Sequence, residues 1–156
     1  MERSREVDAN LEFLHTRSDN GGNILYVSCG GLTESIASVK DLVAASPQMH
    51  GWHIVAFKQR LEDDAFQTTK DMVVFEDKFR VDPFTAKMKI QPNGNKYDLW
   101  IYSPKDRLEY GHKAAYFLLL DLLIGEYEVM TKLAGIDFCL QDASTNQPLV
   151  DIRKII

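Results

Sequence analysis

Cys29 stands at a corner of the sequence, in "ILYVSCGGLTES" (24–35), where an apolar run meets Gly30-Gly31 and the start of a helical pattern. A thiol at a helix N-terminus is more acidic than a free one and becomes a nucleophile when a histidine sits beside it. His50 and His53, one crossover further on, are the histidines that could serve, and the chemistry would be that of a small thiol-dependent hydrolase or transferase. The local signatures of papain-like and caspase-like cysteines are missing, as is the downstream arginine of a phosphatase loop, so the plainer reading is a buried, inert thiol. Gly30 and Gly31 could also turn backbone N–H groups toward a small anion. Neither of the glycine-rich phosphate fingerprints is present, however, and no Lys or Arg lies between Arg17 and Lys40. A tight turn from strand to helix accounts for the two glycines without a ligand.

Two further groups carry chemistry by type and spacing. Asp121 interrupts the most apolar helical stretch, with His112 before it and Glu126 and Glu128 after it. A carboxylate there could be an acid of raised pKa or half of a metal site, but no His-Glu-x-x-His spacing exists, and a structural hydrogen bond is the simpler role. Trp100 and Tyr102 lie on one side of a strand whose other side carries Leu99 and Ile101. Large aromatics on a rigid sheet make interface anchors unless helices cover them, and these two are the binding residues the sequence points to.

The elements that must position these residues follow from the hydrophobic periods. "LEFLHTR" (11–17) and "ILYVSC" (24–29) flank the turn-forming "SDNGGN" and predict a hairpin. Ile36, Val39, Leu42 and Val43 share a helical face, with Thr33 or Ser35 as N-cap and Pro47 as the stop. "HIVAFKQ" (53–59) then returns as a buried strand, so strand, helix and strand form a parallel crossover. The acidic stretch 60–71, with Glu62, Asp63 and Asp64, reads as an excursion over the surface. In "AKMKIQPNGNKYDLWIY" (86–102) two alternating arms flank Asn93-Gly94, the dipeptide of type I′ turns. A long helix from Arg107 to about Ile124, a break at Gly125, a short helix, a stop at Gly135 and a last strand through Ile136, Phe138 and Leu140 complete the order. The expected fold class is α+β: a mixed, mostly antiparallel sheet with one β-α-β crossover and about two substantial helices packed on it. All 156 residues read as one domain with a core over about 11–141 and an apolar tail, "PLVDIRKII", docked on it.

Composition bounds the partners. The apolar fraction of 45% and charged fraction of 26% are those of a globular domain, and the longest uncharged apolar run, "AAYFLLL" (114–120), is far below the roughly 18 residues of a membrane span. A net charge of -5 without clustered cations argues against nucleic acid. Two cysteines, Cys29 and Cys139, imply no disulfide framework and match no zinc pattern, and with no apolar stretch behind the N-terminal charges a cytoplasmic protein is expected.

The segments "LVAASPQMHGWHIVAFK" (42–58) and "LLLDLLIGEYEVMTKLAGID" (118–137) resemble a group of small bacterial α+β proteins classed as a domain of unknown function. The resemblance spans about residues 11–141. It implies a bacterial cytoplasmic α+β domain and supplies no catalytic residue. The expectation is therefore a non-enzymatic module that binds a protein partner or itself, with no cofactor or metal and no nucleic acid or membrane. The alternative is the thiol enzyme of Cys29 with His50 or His53.

Overall fold

The structure, a computed structural model, describes residues 8–63, 73–76, 78–141, 144 and 147–156. Contacts divide the chain into two compact units, Met1–Lys58 and Gln59–Ile156. The fold class is α+β.

In the first unit β1 (Glu12–Arg17) and β2 (Asn23–Ser28) pair antiparallel, from Glu12 opposite Ser28 to Arg17 opposite Asn23. Gly21, at φ 85°, closes their turn by donating its N–H to the Ser18 carbonyl. A 3-10 turn (Thr33–Ser35) leads into α1 (Ile36–Ala45), and β3 (Trp52–Ala56) returns parallel to β2. The helix ends where Ser46, pushed to an extended ψ of 135° ahead of Pro47, can no longer continue it. Ser35 does stand at the N-cap position, but its hydroxyl does not cap the helix; it accepts from Asn10 Nδ2 at 3.2 Å. The third strand stops short of the expected Gln59 because Phe57 takes φ 63°, a left-handed conformation that leaves the ladder while its N–H still reaches the Val27 carbonyl at 2.7 Å.

The second unit holds two sheets. β4 (Val73–Phe75) and β5 (Phe79–Val81) form a short hairpin. β6 (Lys87–Asn93), β7 (Lys96–Ser103) and β8 (Leu133–Leu140) form a mixed sheet in that order, β6 and β7 antiparallel, β7 and β8 parallel. Between β7 and β8 run α2 (Tyr110–Ile124) and α3 (Glu126–Lys132), so among the described residues there are two crossovers where one was expected, and the strands lie in three sheets rather than one. The second crossover was hidden by Gly135. Read as a helix stop, it lies instead inside β8, which begins at Leu133 and bulges past Ala134 before Gly135 pairs with Asp98. Gly125 separates the two helices at φ 93°, ψ 144°, a conformation nearly reserved for glycine.

The hairpin turn also differs by one residue. Asn93 pairs with Lys96, so the two-residue loop is Gly94-Asn95, with Gly94 at φ 61° and Asn95 at negative φ. Glycine at the first loop position is the pattern of a type II′ turn rather than I′. Sliding the loop by one moves every cross-strand partner by two, which leaves each side chain on the face the alternation assigned to it.

The core of this unit collects Met88, Leu99 and Ile101 from the sheet, Tyr116, Leu119, Leu120 and Leu123 from α2, and Leu149 and Ile152 from the C-terminal 3-10 helix Leu149–Lys154. The C-terminal segment is fastened by backbone hydrogen bonds from Met88 to Gln147 and from Leu149 to Ala86, at 2.8 and 2.9 Å.

Candidate interaction surface

β7 sorts its side chains by parity. Leu99, Ile101 and Ser103 are buried, and the α2 rings of Tyr116 (tilted) and Phe117 (edge-on) pack at 5.9 and 5.8 Å against Phe138 on the same face of β8. Asp98, Trp100 and Tyr102 therefore point away from α2, and all three are half-buried. Register completes this second face: Lys89, Trp100 and Asp137 form one row across the three strands, with Lys87, Tyr102 and Cys139 on one side of it and Gln91, Asp98 and Gly135 on the other. Lys89 and Asp137 are exposed. The Lys89 ammonium sits 5.4 Å from the Trp100 ring centroid, within cation–π range. Asp98 is held at the edge by Asn93 Nδ2, at 3.0 and 3.2 Å from its two oxygens. The face is thus two aromatics flanked by charge, on a strand that its buried side fixes to a helix.

That fixing includes a buried polar relay. Ser103 Oγ donates to the Arg107 carbonyl at 3.1 Å, so at 2.8 Å the Tyr116 hydroxyl is the donor to Ser103 Oγ. Burial, the largest cause, raises the Tyr116 pKa above its usual value of 10.0, and a bond in which the phenol is the donor stabilises the same neutral form. Folding therefore favours the neutral phenol, and the stability this confers is fully present below pH 10 and is lost as pH rises through the raised value. Tyr116→Phe is expected to cost about 1 kcal/mol at neutral pH and to show a shallower alkaline fall than the wild type. Denaturation midpoints across neutral and alkaline pH measure both.

The thiol site of the sequence reading does not assemble. Cys29 is fully buried just past the C-terminal end of β2, whereas His53 pairs with Ile24 at the other end of that strand and His50 lies before β3 begins. Five residues of strand, roughly 16 Å, separate the sulfur's end from the histidines' end. A parallel crossover carries the chain back to where β2 started, and that is why sequence proximity misled. The histidines lie instead at the end where His15 stacks on Trp52 (5.2 Å) and bonds Asn23 through Nε2 (2.9 Å), beside a cleft of about 580 Å³ lined by Met49, Trp52 and His53 among others. Sequence reasoning gave His15 no role, and only the strand register shows its place. Trp52 belongs to the β1–β2–β3 sheet of the first unit, and Trp100 to the β6–β7–β8 sheet of the second.

Gly30 and Gly31 do not form an anion cradle. Both need positive φ, 59° and 84°, as a tight turn requires. The Gly30 N–H already donates to Ser28 Oγ at 3.1 Å, and a Cβ at Gly30 would stand 3.1 Å from a Glu12 carboxylate oxygen. A bound anion would meet that negative charge with no nearby cation in the turn. Asp8 accepts from the Asn10 N–H at 2.9 Å, and this bond first, then the Ser35 and Ser38 hydroxyls beside it, hold its carboxyl below the usual range.

Among the described residues the acidic side chains of the second unit are scattered rather than convergent. His112 and Asp121 are nine residues apart on α2, half a turn out of phase. Glu126 is buried, and neither it nor Asp121 is without a partner. Asp63 pairs with Arg153; Asp64 and residues 65–71 of the acidic stretch lie outside the described residues. Among the described residues no group of three or more His, Cys, Asp or Glu could hold a metal ion.

In comparison with known proteins, no family model and no curated sequence matches the chain.

Proposed function

We propose that the protein is a non-enzymatic binding module that engages a protein partner, or a second copy of itself, through the Trp100–Tyr102 face of the β6–β7–β8 sheet. The observation that carries this reading is the half-burial of both aromatics on the face turned away from α2, with exposed Lys89 and Asp137 in the same row. Aromatic centre and charged rim are the composition of an interface. The thiol-enzyme alternative loses support from the separation of Cys29 from His50 and His53. The two segments that resemble bacterial proteins of unknown function, the absence among the described residues of a helix able to cross a membrane, and the paucity of cysteine fit a bacterial cytoplasmic setting. The acidic net charge of -5 weighs against a nucleic-acid partner.

Trp100→Ala is expected to weaken association by more than about 1 kcal/mol, or roughly fivefold, while leaving the circular dichroism spectrum unchanged. A variant that keeps full association, measured by sedimentation against the wild type, would remove the basis of this function.

A further inference from the structure

The aromatic face has a polarity that selects its partner. Its cations, Lys87 and Lys89, come from β6; its outer acid, Asp137, comes from β8; β7 between them carries the two aromatics. We propose that two copies of the protein pack face to face about a two-fold axis running along β7, so that Trp100 meets its counterpart at the centre and Lys89 of each copy opposes Asp137 of the other. This rests on the reading of the face as an interaction surface and names its occupant.

The axis follows from charge. Two sheets that stack face to face with their strands nearly aligned, about 10 Å apart, can be related by a two-fold axis along the strands or across them. An axis across the strands lays each strand over its own copy, which sets Lys89 against Lys89 and Asp137 against Asp137. An axis along β7 exchanges the outer strands, laying β6 over the partner's β8. The row Lys89–Trp100–Asp137 then reads in reverse on the other copy, and both of its charges find the opposite sign. Like charges in juxtaposition are costly and opposite ones fix register, so the arrangement along β7 is favoured, and it is isologous as a closed dimer requires. A different protein would have to supply an acidic group, an aromatic-accepting surface and a basic group at these same spacings, which a second copy already has.

Three strands about 4.8 Å apart and about seven residues long present roughly 300–350 Å² per copy, well under the roughly 800 Å² per partner of a standard interface. The dimer is therefore weak and concentration-dependent, and added salt weakens it further.

The test is a charge exchange read by sedimentation velocity over a concentration series reaching the millimolar range. Lys89 and Asp137 are both exposed, so Lys89→Glu and Asp137→Lys should fold, with circular dichroism as the check. Each single variant is expected to lower the dimerisation constant about tenfold, and the double variant Lys89→Glu/Asp137→Lys to recover to within about threefold of the wild type. A wild type that stays monomeric throughout overturns the inference. A wild-type dimer that Trp100→Ala abolishes, but whose double variant is no better than the singles, overturns the two-fold arrangement and leaves the face as the interface. A dimer indifferent to Trp100→Ala overturns both.

Discussion

Replacing Arg153 with methionine is expected to destabilise the protein by about 3 kcal/mol, the sum of two part-buried carbonyls, those of Leu123 and Leu61, that lose this donor and the loss of charge-assisted hydrogen bonds. The last turn of any helix leaves carbonyls unpaired, and because Gly125 breaks the backbone there, those of α2 cannot be served by continuing the helix. Arg153 serves them from the C-terminal 3-10 helix. Its Nη1 donates to the Leu123 carbonyl at 3.0 Å and only reaches that of Leu122 at 3.5 Å, which the Leu61 N–H already serves at 2.8 Å; its Nη2 donates to the Leu61 carbonyl at 2.8 Å and to Asp63. With the Arg153 side chain only 9% exposed, water has poor access to the carbonyl bonds, whereas Asp63 stands in solvent and its pair contributes little. Arg153→Lys should recover less than half of the loss, because an ammonium cannot reproduce the planar fork. Urea denaturation tests this: the midpoint should fall with the slope unchanged, and a midpoint within error of the wild type would show that the carbonyls find other donors. Asp63 adds a pH signature. The hydrogen bond from Arg153, then its charge, holds the Asp63 carboxyl below the usual range, so its contribution is present above about pH 4 and disappears as pH falls through the lowered value. The gap between wild type and Arg153→Met should narrow slightly there.

Gly111→Ala is expected to cost about 2–3 kcal/mol, against the usual benefit of alanine in a helix. Gly111 is buried in the first turn of α2, and a Cβ there would lie 2.1–2.4 Å from three carbons of the Phe79 ring. The ring cannot slip aside freely: its neighbours include the His112 imidazole, edge-on at 5.0 Å, and the Lys78 ammonium at 4.9 Å. Close approach of β5 to α2 therefore depends on the missing methyl group. Phe79→Leu in the Gly111→Ala background should regain part of the loss, a coupling that a double-mutant cycle on denaturation free energies would measure. Additive effects would mean that the glycine is used for backbone freedom rather than for space.

The local pattern of the chain was sufficient for much of this protein. The α+β class, the first hairpin, the α1 crossover and the two faces of the β6–β7 hairpin are all legible, because each depends on periods of two or 3.6 residues and on turn chemistry within a short window. The Trp100–Tyr102 face is legible for the same reason: alternation assigns sides whatever the turn, and a loop displaced by one residue leaves parity intact. Tertiary structure decided everything that required knowing which ends of elements meet. It put Cys29 and His53 at opposite ends of a parallel pair, brought His15 to Trp52, drew Glu12 over Gly30, and carried Arg153 to the end of a helix thirty residues earlier in the chain. It also turned Gly135 from a helix stop into part of an eight-residue strand beside β7. Local sequence is blind to these outcomes because parallel pairing and long-range capping are settled by packing and by the demand that buried polar groups find partners, neither of which leaves a spacing to read.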